Sequence, residues 1–375
     1  MPNIRRFFKF FLLFPNYHQR SFGLDLLRAI AILIVVLNHG GWMLEKADSN
    51  FPWIRLINGV ELFFVLSGFL IGGILINTIQ TTKKLTFRTL RNFWIRRWFR
   101  TLPNYYLILG LNILVVFSGI IKEDISQFNW KFFLFLQNFS KPFYGFFWES
   151  WSISIEEWFY LLFPILFCSI FVCFKKHRMS ILLFSITLFL IVSLLLRWGI
   201  ASKFVVDDFW LGVKIEKVVI FHFDGIAFGL FAAFIKQYKP NFWMNYRIWC
   251  FMFGIIISYS LLYTSWLPND FSTKVYKLFF QSFGCSLLLP FFDGIKKAPM
   301  FITKIITHLS LISYSMYLIN LALVSEIIRS NFPPNGKFTA WITYIFYWLA
   351  VIVCATFIYK YFEKPIMDIR DKIKN

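Results

Sequence analysis

Arg28 and His39 sit eleven positions apart in one otherwise apolar stretch, LDLLRAIAILIVVLNHGGWM. On an α-helix an eleven-residue step returns to within ~20° of its starting direction and climbs ~16 Å, so the two side chains line one face at two depths, with Asp25 on the same stripe. Ionisable groups inside a membrane span are costly and face a protein interior or a watery cavity, which makes this stripe a candidate functional site. Imidazole is the side chain best suited to accept a proton near neutral pH, so His39 is the candidate general base. Glu61, Glu156 and Glu157 are expected near its level, where a carboxylate could fix its tautomer and stabilise the imidazolium. The simpler alternative is a helix-packing histidine that only hydrogen-bonds a neighbour.

Arg97 and Arg100 form an R-x-x-R on one helical face, inside a basic cluster with Lys83, Lys84, Arg88, Arg91 and Arg96. Two guanidiniums one turn apart can grip phosphates through bidentate hydrogen bonds, as a nucleotide-bearing co-substrate requires. Plain positive-inside topology explains the cluster equally well, and it is the reading taken for Lys83, Lys84 and Arg88. The adjacent acids in WESWSISIEEWFYLLFP, Glu156 and Glu157, point ~100° apart on a helix. One of them faces the site and the other a loop or interface, and the sequence leaves open which. Trp148, Trp151 and Trp158 read as an interfacial aromatic belt. No metal-ligand spacing accompanies His39, so no metal is expected. Cys168, Cys173, Cys250, Cys285 and Cys354 form no CxxC pair and read as small buried hydrophobes.

These residues need a scaffold, and composition names it. With 58% hydrophobic residues, 15% charged and a mean hydropathy of +0.62, the chain holds more apolar surface than a soluble core of this size can bury. Apolar runs of membrane-spanning length fall near 24–44, 58–79, 102–121, 155–174, 179–198, 218–235, 248–267, 275–292, 309–328 and 340–360. The expected fold is thus an all-α integral membrane bundle of about ten transmembrane helices. Lys and Arg number 25 on the terminus side and 12 in the opposite loops, so both termini are expected to be cytoplasmic. This alternation also accounts for the net charge of +20 without nucleic acid, whose binder would gather its basic residues on one soluble face. The basic, aromatic start, broken by Lys9 and ending at Pro15, fits an interfacial segment better than a removable signal peptide. The organisation is an interfacial segment at 1–22, one membrane domain at 23–365 and a short cytoplasmic tail at 366–375, with the aromatic loop at about 122–154 along the outer face.

R-x(10)-H in the first span, GVELFFVLSGFLIGGIL in the second, RRWFRTLP opening the third and WSISIEEWFYLLFP at the fourth occur in this order. FDGIAFG, ISYSMYLIN and YFEKP follow. Together they resemble membrane acyltransferase family 3, from about Gly23 to Pro365. The resemblance implies a ten-helix enzyme of the bacterial cytoplasmic membrane that takes an acyl group, commonly acetyl, from cytoplasmic acyl-CoA to a hydroxyl of an extracytoplasmic acceptor. That acceptor would be a cell-envelope glycan or a lipid-linked sugar. Residue by residue, Arg28 and His39 match the family's R-x(10)-H, Arg97 and Arg100 its R-x-x-R, Glu156 and Glu157 its paired acids. Glu61 stands where the family has Asp or Glu. The chain departs at His222, where Arg is common, and at Asn320, where His is frequent; both bear on specificity. The soluble hydrolase-like domain of some members is expected to be absent.

On this reading acyl-CoA docks with its phosphates near Arg97 and Arg100 and its arm along the stripe toward His39. His39 deprotonates the acceptor hydroxyl or carries the acyl group itself. Arg28 holds the arm or stabilises the oxyanion, and Glu157 or Glu156 orients the imidazole or binds sugar hydroxyls. Two other functions fit a polar stripe: a transporter or flippase for an envelope precursor, and a non-catalytic scaffold.

Overall fold

The structure is a computed structural model describing residues 20–45, 58–81, 87–173, 178–203, 211–263 and 270–372. All but the last three residues of the segment at 1–22 lie outside this set. Among the described residues there is no strand, and ten helices of 15 residues or more carry the fold. They are α1 (Phe22–His39), α2 (Gly59–Thr81), α3 (Phe87–Phe117), α4 (Ser150–Cys173) and α5 (Arg178–Ala201), then α6 (Asp224–Tyr238), α7 (Arg247–Tyr263), α8 (Asp270–Ser286), α9 (Met300–Ile319) and α10 (Lys337–Ile358).

Each of the ten helices coincides with one apolar run, and among the described residues eight stretches are long and apolar enough to cross a bilayer. The eight are α1 to α5, and α8, α9 and α10 together with the short helices that continue them. The span expected at 218–235 is shortened: Val219–Phe221 is a 3-10 turn, and α6 begins at Asp224, whose carboxylate pairs with the buried Arg197 guanidinium. Fifteen residues reach ~22 Å, short of a ~30 Å hydrocarbon core. α7 has 17 described residues, and the far end expected for it, at 264–267, lies outside the described set.

Two large apolar clusters fill most of the interior, and α1 stands between them. Leu27 and Ala31 pack with α2, α4, α5 and α6, whereas Ile32, Val35 and Val36 pack with α3, α9 and α10. A helix buried on two sides has little lipid-facing surface, so its polar stripe opens onto the seam between the half-bundles. Among the described elements, α2 and α6 share the most extensive helix contact. Gly68 and Gly72 on α2 and Gly225 and Gly229 on α6 all lie in this contact, with Gly68 against Gly229, two G-x-x-x-G steps of the kind that lets helix backbones approach. A methyl group on Gly68 would fall 2.0 Å from the Ile226 carbonyl oxygen, and one on Gly229 2.1 Å from that of Val65.

The segment between α3 and α4 is a packed cap. Phe132, Phe146 and Phe147 are buried, and Tyr105 and Trp158 donate to the carbonyls of Phe132 and Phe135 at 2.9 Å each. Of the cysteines expected to be buried, Cys285 is, whereas Cys354 is exposed on α10 beside the exposed Ile345, Phe346 and Leu349. A thiol among apolar side chains on an outward helix face is compatible with lipid contact.

Candidate active site

Main-chain hydrogen bonding keeps α1 continuous from Phe22 to His39, so Arg28 and His39 are fixed ~16 Å apart along one rod. Around Arg28 lies a cavity of about 90 Å³ between α1, α2, α3, α4 and α9. Arg97, Arg100, Glu156, Tyr160 and Tyr314 also line it. The R-x-x-R thus points both arginines at the stripe of α1. Among the described residues none of these three guanidiniums is engaged in a hydrogen bond or ion pair with a protein group.

A larger cavity, about 360 Å³, adjoins the first, with Arg97 lining both. Arg88, Arg96, Thr78 and Asn92 line it between the end of α2, the start of α3 and α4. On sequence, Arg88 reads as topology alone and Arg96 marks no site, whereas both side chains line this cavity. Their i, i+8 spacing is the signal that places both on one face of α3, alongside Asn92.

The paired acids separate as their angular offset requires. Glu156 lines the small cavity, near Tyr160 and Ser67, which hydrogen-bond one another. Glu157 turns to α3, accepting from the Thr101 hydroxyl at 2.6 Å. Neither is the ring partner of His39. Glu61 lies elsewhere, buried between α2, α6 and α8, where it accepts from Ser282 at 2.5 Å and faces His222 Nε2 at 2.9 Å. The other His222 nitrogen meets the Glu216 carbonyl. Asp25 is likewise taken, by Arg20 at 2.5 Å and Ser310 at 2.7 Å.

The ring partner of His39 is Asn320, 281 residues away, with Nδ1 2.5 Å from Oδ1. Asn320 opens a π-helical segment, Asn320–Ser325, directly after α9. Its amide nitrogen donates to the carbonyls of Met316 (2.9 Å) and Tyr317 (2.7 Å), so only its oxygen is left for the imidazole. A carbonyl oxygen can only accept. The proton of His39 therefore sits on Nδ1, and the Nε2 lone pair is available. Glu149, next to α4, braces this segment by accepting from the Ala322 amide at 2.9 Å; burial pushes its carboxyl up to about 8. Ser152 donates to the Tyr317 hydroxyl at 2.7 Å, and both line the small cavity, which therefore ends one turn of α9 short of Asn320. His39 itself lines neither cavity.

A sequence model of the acyltransferase 3 family, described as an acyltransferase domain, matches residues 21–360. The chain belongs to this family. It is 25% identical over 374 residues to a Staphylococcus aureus (strain COL) protein provisionally named an O-acetyltransferase, covering 94% of this chain and 58% of that protein. It is 25% identical over 299 residues to the peptidoglycan O-acetyltransferase OatA of Listeria monocytogenes, covering 67% of this chain and 46% of that one. A Bacillus subtilis (strain 168) protein provisionally named peptidoglycan O-acetyltransferase YrhL is 32% identical over 166 residues, 40% of this chain and 24% of that protein. The chain thus spans little more than half the length of the first of these relatives. No solved structure matches it.

In this member of the family, an integral membrane protein, the motifs do distinct physical work. Glu363 of YFEKP accepts from Ser315 of SYSMYLIN at 2.7 Å and from Asn104 at 3.2 Å, tying α10 to α9 and α3. That motif holds the helices that carry Asn320 and the arginines in register.

Proposed function

We propose that this acyltransferase moves an acyl group, acetyl by preference, from acyl-CoA at the cytoplasmic face to a hydroxyl of a cell-envelope glycan on the other side. The observation that carries the reading is the commitment of Asn320: with its nitrogen spent on two carbonyls, it holds His39 with Nε2 unprotonated, the state a general base needs.

The residues around the cavities suit a CoA thioester. Arg88 and Arg96 offer charge-assisted donors for nucleotide phosphates in the larger cavity, and Arg97 stands where it meets the smaller one. Arg28 and Arg100 would hold the arm beyond that point. Because Arg28 is ~16 Å from His39 along a straight helix, its part is holding the donor and not stabilising an oxyanion at His39. A thioester supplies an activated acyl carbon. At the far end His39 Nε2 takes the proton of the acceptor hydroxyl as its oxygen bonds to the acyl carbon. The C–S bond breaks, and His39 returns the proton to the departing thiolate.

Purified protein in liposomes, given acetyl-CoA and envelope glycan, should release free thiol in step with glycan acetylation. Replacing both Arg97 and Arg100 by Gln should raise the KM for acetyl-CoA at least tenfold, the loss expected for charge-assisted hydrogen bonds. Glycan crossing the bilayer without thiol release would replace this reading with transport.

A further inference from the structure

The loop before α6 carries a cation that the transfer chemistry above leaves unused. Lys217 follows the π-helical turn Gly212–Glu216, and its main chain is pinned: its carbonyl accepts from Asn138 at 2.7 Å, and the same amide donates to the Trp151 carbonyl at 3.0 Å. Lys217 is thereby held against the start of α4. Its ammonium lies 3.3 Å from the ring centroid of Trp148 and 5.8 Å from that of Trp151. Tyr144, half-exposed, meets Trp148 edge-on at 4.5 Å and extends the aromatic wall outward. The neighbouring acid Glu216 faces Lys277 instead, at 3.6 Å. Among the described residues no carboxylate pairs with the Lys217 ammonium.

The charge of this group is felt at His39. Lys217 lies within electrostatic range of His39, at the end of α1 remote from Arg28, Arg97 and Arg100. If the donor enters at the arginine end, the acceptor meets His39 at this one. The ammonium is repaid for lost water only by the Trp148 ring and by the Glu216 charge at a distance, so an anion from outside can still make the direct, charge-assisted contact it lacks. The half-exposed Tyr144 ring beside it offers a surface for a sugar ring. We propose that Lys217, with Trp148 and Tyr144, forms the acceptor subsite and recognises an anionic group, carboxylate or phosphate, on the glycan. This rests on the acyl-transfer reading for the identity of the acceptor, though not for the recognition of the anion. Burial lowers the Lys217 ammonium to about 8, so the subsite loses its charge as pH rises through that value.

The test uses the full-length protein in liposomes with three probes: a neutral N-acetylglucosamine oligosaccharide, the same oligosaccharide bearing a carboxylate, and a polyprenyl-phosphate-linked sugar. Binding is read by tryptophan fluorescence in a His39→Ala background, where no turnover is needed. Lys217→Met should weaken binding of a charged probe about tenfold and leave the neutral one unchanged, Lys217→Arg should restore it, and the selectivity should fade above pH 8. The carboxylate and phosphate arms show which anion the subsite takes. Equal affinity for all three probes, or equal losses on all three in Lys217→Met, would overturn the proposal. Turnover with acetyl-CoA, measured separately in the wild type, decides the acyl-transfer reading, so the two can fail independently.

Discussion

His39 is defined less by its own position than by the side chain opposite it. An imidazole with two free nitrogens has no fixed tautomer, whereas Asn320 presents one acceptor and no spare donor. Replacing Asn320 by Leu should cut kcat by about tenfold to hundredfold, the cost of a lost hydrogen bond to a buried group, with the KM for acetyl-CoA little changed. Asn320→Asp keeps an acceptor for the imidazole but sets its second oxygen against the Met316 and Tyr317 carbonyls, and should also lose activity. Kinetics on the two variants separate a hydrogen-bonding role from packing: if only shape mattered, Asp and Leu, both close to Asn in size, would keep nearly the wild-type kcat. Arg28, His39, Arg97 and Arg100 were legible as candidates because spacing on one helix is a local property. The link from His39 to Asn320 was not, because it crosses 281 positions and depends on how α9 packs on α1. For the same reason Glu61 was placed beside His39 on sequence, although its helix turns it toward His222 and Ser282.

At the level of elements, the site depends on close helix contacts made possible by glycine. Gly68 and Gly229 leave no room for a side chain, and the α2–α6 pair they permit carries Ser67 into the small cavity and Glu61 into its own cluster. Gly68→Val should destabilise the fold by about 1–3 kcal/mol through overpacking, seen as a lower unfolding temperature in detergent, and should reduce activity in proportion. Gly73→Val, at a position with open space around it, serves as the neutral control. An unchanged unfolding temperature in Gly68→Val would mean that the two helices are not held this closely. The helices themselves were readable because long apolar runs need no partner to be recognised. The late start of α6 was hidden, since the buried pair of Arg197 and Asp224 that sits at that start depends on how α5 and α6 pack and not on a local apolar run.

Across the whole molecule, α1 separates two half-bundles and carries a polar stripe along the seam. Arginines gather at one end of that stripe, and His39 with Asn320 stands at the other. A donor held at one end and an acceptor met at the other is the arrangement that vectorial transfer across a membrane requires. Two cavities that share Arg97 begin the path, and Tyr317 with Ser152 marks its approach to Asn320. The most direct test is mass spectrometry of envelope glycans and glycolipids from cells lacking this protein, complemented with the wild type or with His39→Ala. The account predicts an acyl mass increment that returns with the wild type and is absent with His39→Ala, although both proteins insert in the membrane. An increment restored equally by His39→Ala would contradict it.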